Sequence, residues 1–337
     1  MVIFLILLLI VSIYKIKLST FNEDYMSRES TASVKGIFIM LVFLSHIRAY
    51  MTLPDGNVFS EIMNSIGQLM VAMFLFYSGY GVLESYKSKP NYADGFLKNR
   101  FFKTLLHFDI AVLLFLIISI ILGDSYPVRN YLLCWIGWES IGNSNWFVFV
   151  ILALYLLTCL CFKVSDKEYI LRFCVLQTVV TVGLIALLKL AGKDQWWYDT
   201  ALCYSAGIWF SCFKDRLDTA LQKKQVYYPA LAVLTAVFFV LYNMEGAARY
   251  CLCTTVFSLI VVMLTVKLSI GNKALAWLGN HLFEIYILQR IPMIILSRAG
   301  LENPVGLTFA ALALTIGLAA VFNTALKSLD RKLFCKR

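Results

Sequence analysis

A lysine and a histidine stand eleven positions apart in the segment KGIFIMLVFLSH, at Lys35 and His46, with almost only apolar residues between them. Eleven residues of α-helix make about three turns and rise about 16 Å, so both side chains lie on one face. A lysine can bind an anion, and a neutral imidazole can accept a proton from a hydroxyl group. The segment therefore predicts a helix with an anion-binding group and a general base at two depths. The simpler alternative is a lysine that only sets topology and a histidine held by structural hydrogen bonds.

A second group of ionisable residues lies in NRFFKTLLH, where Arg100, Lys103 and His107 occupy positions i, i+3 and i+7. This spacing predicts that all three lie on one face of a helix. Two cations at the start of a helix, where backbone N–H groups are also free, favour a phosphate ligand. Flanking charge that only orients a membrane helix is the alternative explanation for the same residues.

The composition shows which kind of protein must position these residues. Of 337 residues, 60% are hydrophobic and 15% are charged, and the mean hydropathy is +0.76, far above the balance of a soluble domain. Apolar runs of about 20 residues recur along the chain, which is the length that crosses a bilayer. Since lipid cannot satisfy free backbone groups, we predict an all-α, polytopic transmembrane helix bundle. About eleven spans are expected, near 2–18, 35–52, 65–84, 101–123, 145–162, 169–191, 199–213, 227–243, 250–270, 275–298 and 305–325.

Positive charge is distributed unevenly between the two sides of this predicted bundle. Of the 30 lysine and arginine residues, only seven fall in one set of loops and helix ends, namely Arg48, Arg129, Lys189, Lys193, Arg249, Arg290 and Arg298. The excess on the other side predicts a multi-pass cell-membrane protein with its N-terminus outside and its C-terminus in the cytoplasm. The net charge of +10 is spread over successive loops, which favours contact with membrane lipids and argues against binding of nucleic acid.

The order of the motifs resembles that of acyltransferase family 3, a family of integral-membrane O-acyltransferases. Lys35 and His46 resemble its first core motif, which is Arg or Lys, ten residues, and then His. Arg100 and Lys103 resemble its Arg-x-x-Arg motif, with lysine in place of the second arginine. The segment MFLFYSGYGV, which contains Ser78, is similar to the phenylalanine-rich run that ends in Ser-Gly.

Two later segments extend the resemblance. NSNWFVFVILALY, with Trp146 and Tyr155, is similar to the Trp-aromatic entry of a later family helix. WLGNHLFEIYILQRIP, with Gly279 and Tyr286, is similar to the late family helix motif, in which Gln289 here replaces a histidine. The order and spacing of these segments agree with the topology expected from charge and hydropathy.

The resemblance implies transfer of an acyl group, commonly acetyl, from cytoplasmic acyl-coenzyme A to a hydroxyl group of an extracytoplasmic glycan or cell-envelope polymer. Acetyl-coenzyme A or another acyl-coenzyme A is then the donor substrate. Under this hypothesis Lys35, Arg100, Lys103 and His107 bind the phosphate-rich head of coenzyme A. His46 is then the general base that deprotonates the acceptor hydroxyl. The nine cysteines have no metal-binding or disulfide spacing, and no metal is expected.

Further site residues are expected around His46. Glu284 is predicted at a similar depth, as a catalytic group that holds the tautomer of His46. His281 lies three residues before Glu284 and is an equally good partner for that carboxylate. Substrate-binding roles are predicted for hydroxyl-bearing and aromatic residues of the matched segments, namely Ser78, Trp146, Tyr155 and Tyr286. Two of them, Trp146 and Tyr155, are expected at the outer acceptor pocket unless they are simple interfacial anchors.

Three parts of the chain are predicted from these observations. They are an N-terminal membrane anchor span at 1–18, a membrane acyltransferase domain of ten spans at 33–325, and a basic cytoplasmic tail at 326–337. The alternative function is a transporter or flippase for a lipid-linked glycan or a small solute, since transporters also need intramembrane charge. Many transporters carry internal repeats, and no such repeat is visible in this sequence. The oligomeric state is not predicted.

Overall fold

The computed structural model of the protein describes residues 1–165 and 167–334. Its α-helices are α1 (Val2–Ile13), α2 (Arg28–Ile47), α3 (Val58–Ile66), α4 (Leu69–Ser88), α5 (Tyr92–Phe96), α6 (Lys103–Leu122), α7 (Val128–Leu133), α8 (Trp146–Val164), α9 (Ile170–Leu190), α10 (Leu202–Leu221), α11 (Lys224–Asn243), α12 (Ala247–Thr265), α13 (Lys273–Asn280), α14 (Leu282–Leu288), α15 (Arg290–Arg298) and α16 (Pro304–Leu333). A π-helical turn, Leu97–Phe102, joins α5 to α6. Two short strands, β1 (Ile16–Leu18) and β2 (Leu268–Ile270), pair antiparallel.

Eight of the expected spans are helices that are long and apolar enough to cross a membrane. They contain, in order, α2, α3 with α4, α5 with α6, α8, α9, α11, α12 and α16. The protein is therefore an all-α membrane protein. Within the described part of the chain, the pair of β1 and β2 is the only sheet.

The other three expected spans differ from the prediction. Helix α1 has only 12 residues, which is about 18 Å and shorter than a hydrocarbon core of about 30 Å. Helix α10 has 20 residues, but its second half contains FKDRLD, with four charges close together. The expected span 275–298 consists of three short helices, α13, α14 and α15. The structure does not confirm the predicted count of eleven spans.

The interruptions between α13 and α15 have local causes. His281 has φ −107° and ψ 21°, outside helical geometry, and ends α13. Pro292 has no N–H to donate to the carbonyl group of Leu288, which removes a helical hydrogen bond one turn earlier. Helix α14 accordingly ends at Leu288, and Gln289 lies between two helices. Irregular backbone inside a membrane protein is tolerated where other protein segments surround it.

Helices α4 and α10 pack backbone against backbone. A Cβ atom at Gly79 would clash with the carbonyl oxygen of Tyr204, and one at Gly207 would clash with the carbonyl oxygen of Phe76. Small residues allow such an approach, which is the main way in which membrane helices gain close packing. The Ser-Gly pair of MFLFYSGYGV thus contains a packing glycine.

Helices α2 and α13 meet in the same way. Gly36 faces the carbonyl oxygen of Leu275, and Gly279 faces the carbonyl oxygen of Ala32, so that a Cβ at either glycine would clash. Gly279 opens the motif matched in the late helix, and its role in the structure is packing. This contact fixes α13 beside the N-terminal half of α2, which carries Lys35.

Helices α1 and α16, the first and last helices of the described residues, pack onto the bundle. The ring of Phe4 in α1 lies 4.6 Å from the ring of Phe309 in α16, and Asn272 donates a hydrogen bond to the carbonyl oxygen of Val11. At the other end, α16 continues to Leu333. The first part of the tail predicted at 326–337 is therefore helical, and residues 335–337 lie outside the described residues.

Candidate functional site

A cavity of about 1030 Å³ lies between α2, α4, α6, α8, α14 and α16, and we call it the basic cavity. Its lining includes five cationic side chains, namely Arg28, Lys35, Arg100, Lys103 and Lys327. Three carboxylates also line it, namely Glu84, Glu284 and Asp330. The cations outnumber the carboxylates, so the cavity favours an anionic ligand.

The structure brings seven of the ten predicted site residues to this cavity and leaves three elsewhere. The seven are Lys35, Ser78, Arg100, Lys103, His107, Tyr155 and Glu284. The other three, His46, Trp146 and Tyr286, do not line it. Tyr155, which was expected at the outer opening, lies instead on the same cavity as the cations.

Arg100 lies in the π-helical turn Leu97–Phe102 and is surrounded by phenol groups. Its guanidinium lies close to the phenol groups of Tyr92, Tyr155 and Tyr204. The Tyr155 hydroxyl is in turn 3.0 Å from Oγ of Ser78. None of the ion pairs within the described part of the chain includes Arg100. The Arg100 charge is thus held by neutral groups and stays available to an anion.

Lys103 and His107 have a different environment, because both contact Asp330 of α16. Nζ of Lys103 and Nε2 of His107 each lie 2.8 Å from a carboxylate oxygen of Asp330. The three residues predicted on one helical face therefore separate into Arg100 and a Lys103–His107 pair. The π-helical turn is the physical reason, since its i to i+5 hydrogen bonds change the angle between successive side chains.

Four charged lining residues were missed by the sequence prediction, namely Arg28, Glu84, Lys327 and Asp330. Arg28 lies seven residues before Lys35, two turns earlier on the same face of α2, and that spacing was a usable signal. Lys327 and Asp330 were assigned to a tail, and the structure places both on the last turns of α16. Only the packing of α16 against α6 shows that they belong to the cavity.

His46 has Gln289 as its hydrogen-bond partner. Nε2 of Gln289 lies 3.0 Å from Nδ1 of His46, and the Gln289 side chain is fully buried. Oε1 of Gln289 has no hydrogen-bond partner among the described residues. A half-turn of the amide exchanges its nitrogen and oxygen, so that Oε1 then accepts a hydrogen bond from Nδ1–H of His46. Only this second arrangement leaves the Nε2 lone pair of His46 free to act as a base.

Glu284, the predicted partner of His46, lies elsewhere, and His281, the alternative partner of Glu284, has contacts of its own. Glu284 is on the basic cavity, five residues before Gln289 and about 7 Å away along the helix axis. Nδ1 of His281 is 2.9 Å from the carbonyl oxygen of Trp277, and the two rings stack at 4.1 Å. The replacement of the family histidine by Gln289 was the signal in the sequence that pointed to the residue that contacts His46.

A chain of aromatic contacts connects the basic cavity to His46. Phe147 lines the cavity, its ring lies 5.3 Å from that of Tyr286, and the Tyr286 ring lies 6.0 Å from the His46 imidazole. Phe74 also lines the cavity and contacts Phe147 at 6.1 Å. Trp146 touches Phe147 from outside the cavity, at 6.0 Å. The inner end of the cavity is thus made of aromatic rings, and His46 lies beyond them.

The chain matches a known protein family. A family model described as an acyltransferase domain matches residues 33–324, which include Lys35, His46 and the π-helical turn with Arg100. No curated protein and no solved structure matches the chain. Because the match covers most of the chain, this membrane protein belongs to acyltransferase family 3.

Proposed function

We propose that this membrane acyltransferase moves an acyl group, in the first instance acetyl, from acyl-coenzyme A to a hydroxyl group of an extracytoplasmic glycan or cell-envelope polymer. The observation that most supports this proposal is the basic cavity, where five cations face one volume of about 1030 Å³. Coenzyme A has phosphates at one end and a thioester at the end of a long arm. Its charge and its length both suit a deep cavity with a cationic rim.

Four of the five cations are available to the phosphates of the donor. Arg28 and Lys327 are exposed at the mouth of the cavity, and Lys35 and Arg100 are half-buried within it. None of the four forms an ion pair among the described residues. Charge-assisted hydrogen bonds to phosphate are among the strongest polar contacts in proteins. In the orientation predicted from the charge distribution, all four lie on the cytoplasmic side, where acyl-coenzyme A is present.

The thioester end of the donor would lie against the aromatic end of the cavity, beside Phe147. For direct transfer, the rings of Phe147 and Tyr286 must separate so that the thioester carbonyl meets the acceptor hydroxyl at His46. Nε2 of His46 then takes the hydroxyl proton while the oxygen forms a bond to the carbonyl carbon. The carbon–sulfur bond breaks, and the coenzyme A sulfur leaves as a thiolate that receives the proton from His46.

The test is acyl transfer by the purified protein in lipid vesicles. Acetyl-coenzyme A is supplied with a panel of hydroxyl-bearing oligosaccharides, release of the coenzyme A thiol is followed, and products are analysed by mass spectrometry. We expect thiol release that depends on an acceptor and produces an acetyl ester. Movement of an oligosaccharide across the vesicle membrane without donor and without thiol release would instead support the transporter or flippase alternative.

A further inference from the structure

Arg290 lies near His46 and outside the basic cavity. It is the first residue of α15 and directly follows Gln289, whose amide nitrogen is 3.0 Å from Nδ1 of His46. Its guanidinium lies close to the imidazole of His46 and to the hydroxyl of Tyr50. It does not line the basic cavity.

The charge of Arg290 is not balanced by a carboxylate. Among the ion pairs of the described residues, none includes Arg290, and its Nε atom is buried without a hydrogen-bond partner there. Of the other four arginines assigned to the same predicted side, Arg129 pairs with Glu139 and Arg298 with Asp124, whereas Arg48 and Arg249 hydrogen-bond only to neutral oxygen atoms. An unbalanced cation within a membrane protein is costly and marks a binding site.

The segment around Gly142 lies beside this arginine helix. A Cβ atom at Gly142 would lie 3.4 Å from the hydroxyl of Tyr126 and 3.4 Å from Cδ1 of Ile294, one turn along α15 from Arg290. The next two residues each carry a buried polar atom, Nδ2 of Asn143 and Oγ of Ser144, without a hydrogen-bond partner among the described residues. The segment that contacts α15 at Ile294 is thus followed directly by two residues with unused hydrogen-bonding groups.

We propose that Arg290 binds an acidic group of the acceptor, a carboxylate or a phosphate, so that the acceptor is an acidic glycan or polymer. This inference rests on the proposed acyl transfer. The phosphates of the donor are held by the basic cavity, on the other side of the Phe147 and Tyr286 rings. The acceptor hydroxyl must reach His46. An anionic group of the same acceptor then comes close to Arg290, which lies near His46.

The test compares acceptors that differ only in charge. Acetyl transfer from acetyl-coenzyme A is measured with a neutral β-linked glucose oligosaccharide, with its C6-oxidised glucuronate form, and with a glycerol phosphate oligomer. We expect the wild type to prefer one or both acidic acceptors by at least about tenfold in kcat/KM. The glucuronate and phosphate arms distinguish which anion is used.

Substitution of Arg290 should remove this preference. Arg290→Gln is expected to bring the acidic-to-neutral ratio close to one, and Arg290→Lys to keep part of it because the charge remains. Arg129→Gln is the matched control, since this outer arginine is exposed and paired with Glu139, and it should leave the ratio unchanged. If Arg290→Gln does not fold, the wild-type ratio must still fall as salt is raised, because salt screens the charge pair.

Two results would overturn the inference. One is a wild type that uses neutral and acidic acceptors equally well or whose preference is independent of salt. The other is an Arg290→Gln protein that loses activity on all acceptors in the same proportion, which would assign Arg290 to the reaction itself. Absence of thiol release with every acceptor would contradict the proposed function instead, and the inference would fail with it.

Discussion

The basic cavity and the surroundings of Arg290 differ in how they supply positive charge. The cavity gathers five cations around one large volume, whereas a single unpaired arginine lies beyond the aromatic rings, beside His46. Several cations suit a donor with several phosphates, and one suits a single acidic group on an acceptor. Under the proposed function, donor and acceptor approach His46 from different sides of the Phe147 and Tyr286 rings.

The cavity itself also contains two kinds of cation. Arg100 is surrounded by phenol groups and is free to bind an anion, whereas Lys103 already pairs with Asp330. Residues that share one sequence motif therefore differ in availability.

The largest effect is expected for His46→Ala, because it removes the proposed base at the point where the donor thioester and the acceptor hydroxyl meet. Loss of a general base lowers kcat by about 10²- to 10⁴-fold. Binding of acetyl-coenzyme A, measured by calorimetry on the protein in detergent, should stay near that of the wild type because His46 does not line the cavity. Near-normal turnover would rule out His46 as the base.

Arg100→Gln should weaken binding of the donor, acetyl-coenzyme A, and leave binding of the acceptor unchanged. Loss of an unpaired guanidinium that contacts a phosphate is expected to raise the KM for acetyl-coenzyme A by about 10- to 100-fold, with a smaller change in kcat. Arg172→Gln is the control, since Arg172 is exposed on α9 and does not line the cavity. An equal KM for both variants would mean that Arg100 does not bind the donor.

Phe147→Ala should change which acyl groups are accepted. Removal of the ring enlarges the inner end of the cavity, and we expect the kcat/KM ratio of butyryl- to acetyl-coenzyme A to rise about tenfold. Phe149→Ala is the control, because Phe149 lies in the same helix but packs against Trp138 and Trp197. Retained acetyl transfer with an unchanged ratio would show that Phe147 does not limit acyl length.

The smallest effect is expected for Asp330→Asn. Its carboxylate competes with the donor phosphates for Lys103 and His107, so removal of the charge should lower the KM for acetyl-coenzyme A by about threefold. Asp215→Asn, at an exposed position of α10 outside the cavity, should leave the KM unchanged. A higher KM for Asp330→Asn would mean that Asp330 positions the two cations for the donor.

Several features of the fold and the site were predictable because they depend on local properties of the chain. Apolar runs placed eight membrane helices, since the bilayer sets their length. The spacing of Lys35 from His46 and of Arg100 from Lys103 predicted three of the five cavity cations, since such spacings depend on helix periodicity alone. The late helix was less predictable, because Pro292 and His281 divide it and alter the rotation of every residue after the breaks.

By itself, the sequence determined that this is an all-α membrane protein of acyltransferase family 3, with its basic residues concentrated on one predicted side. Only the tertiary structure decided that Gln289 and not Glu284 contacts His46. It also decided that Asp330 at the end of the chain pairs with Lys103. The physical reason is that such contacts depend on the register and rotation between helices distant in sequence, which close packing at residues such as Gly36 and Gly279 sets.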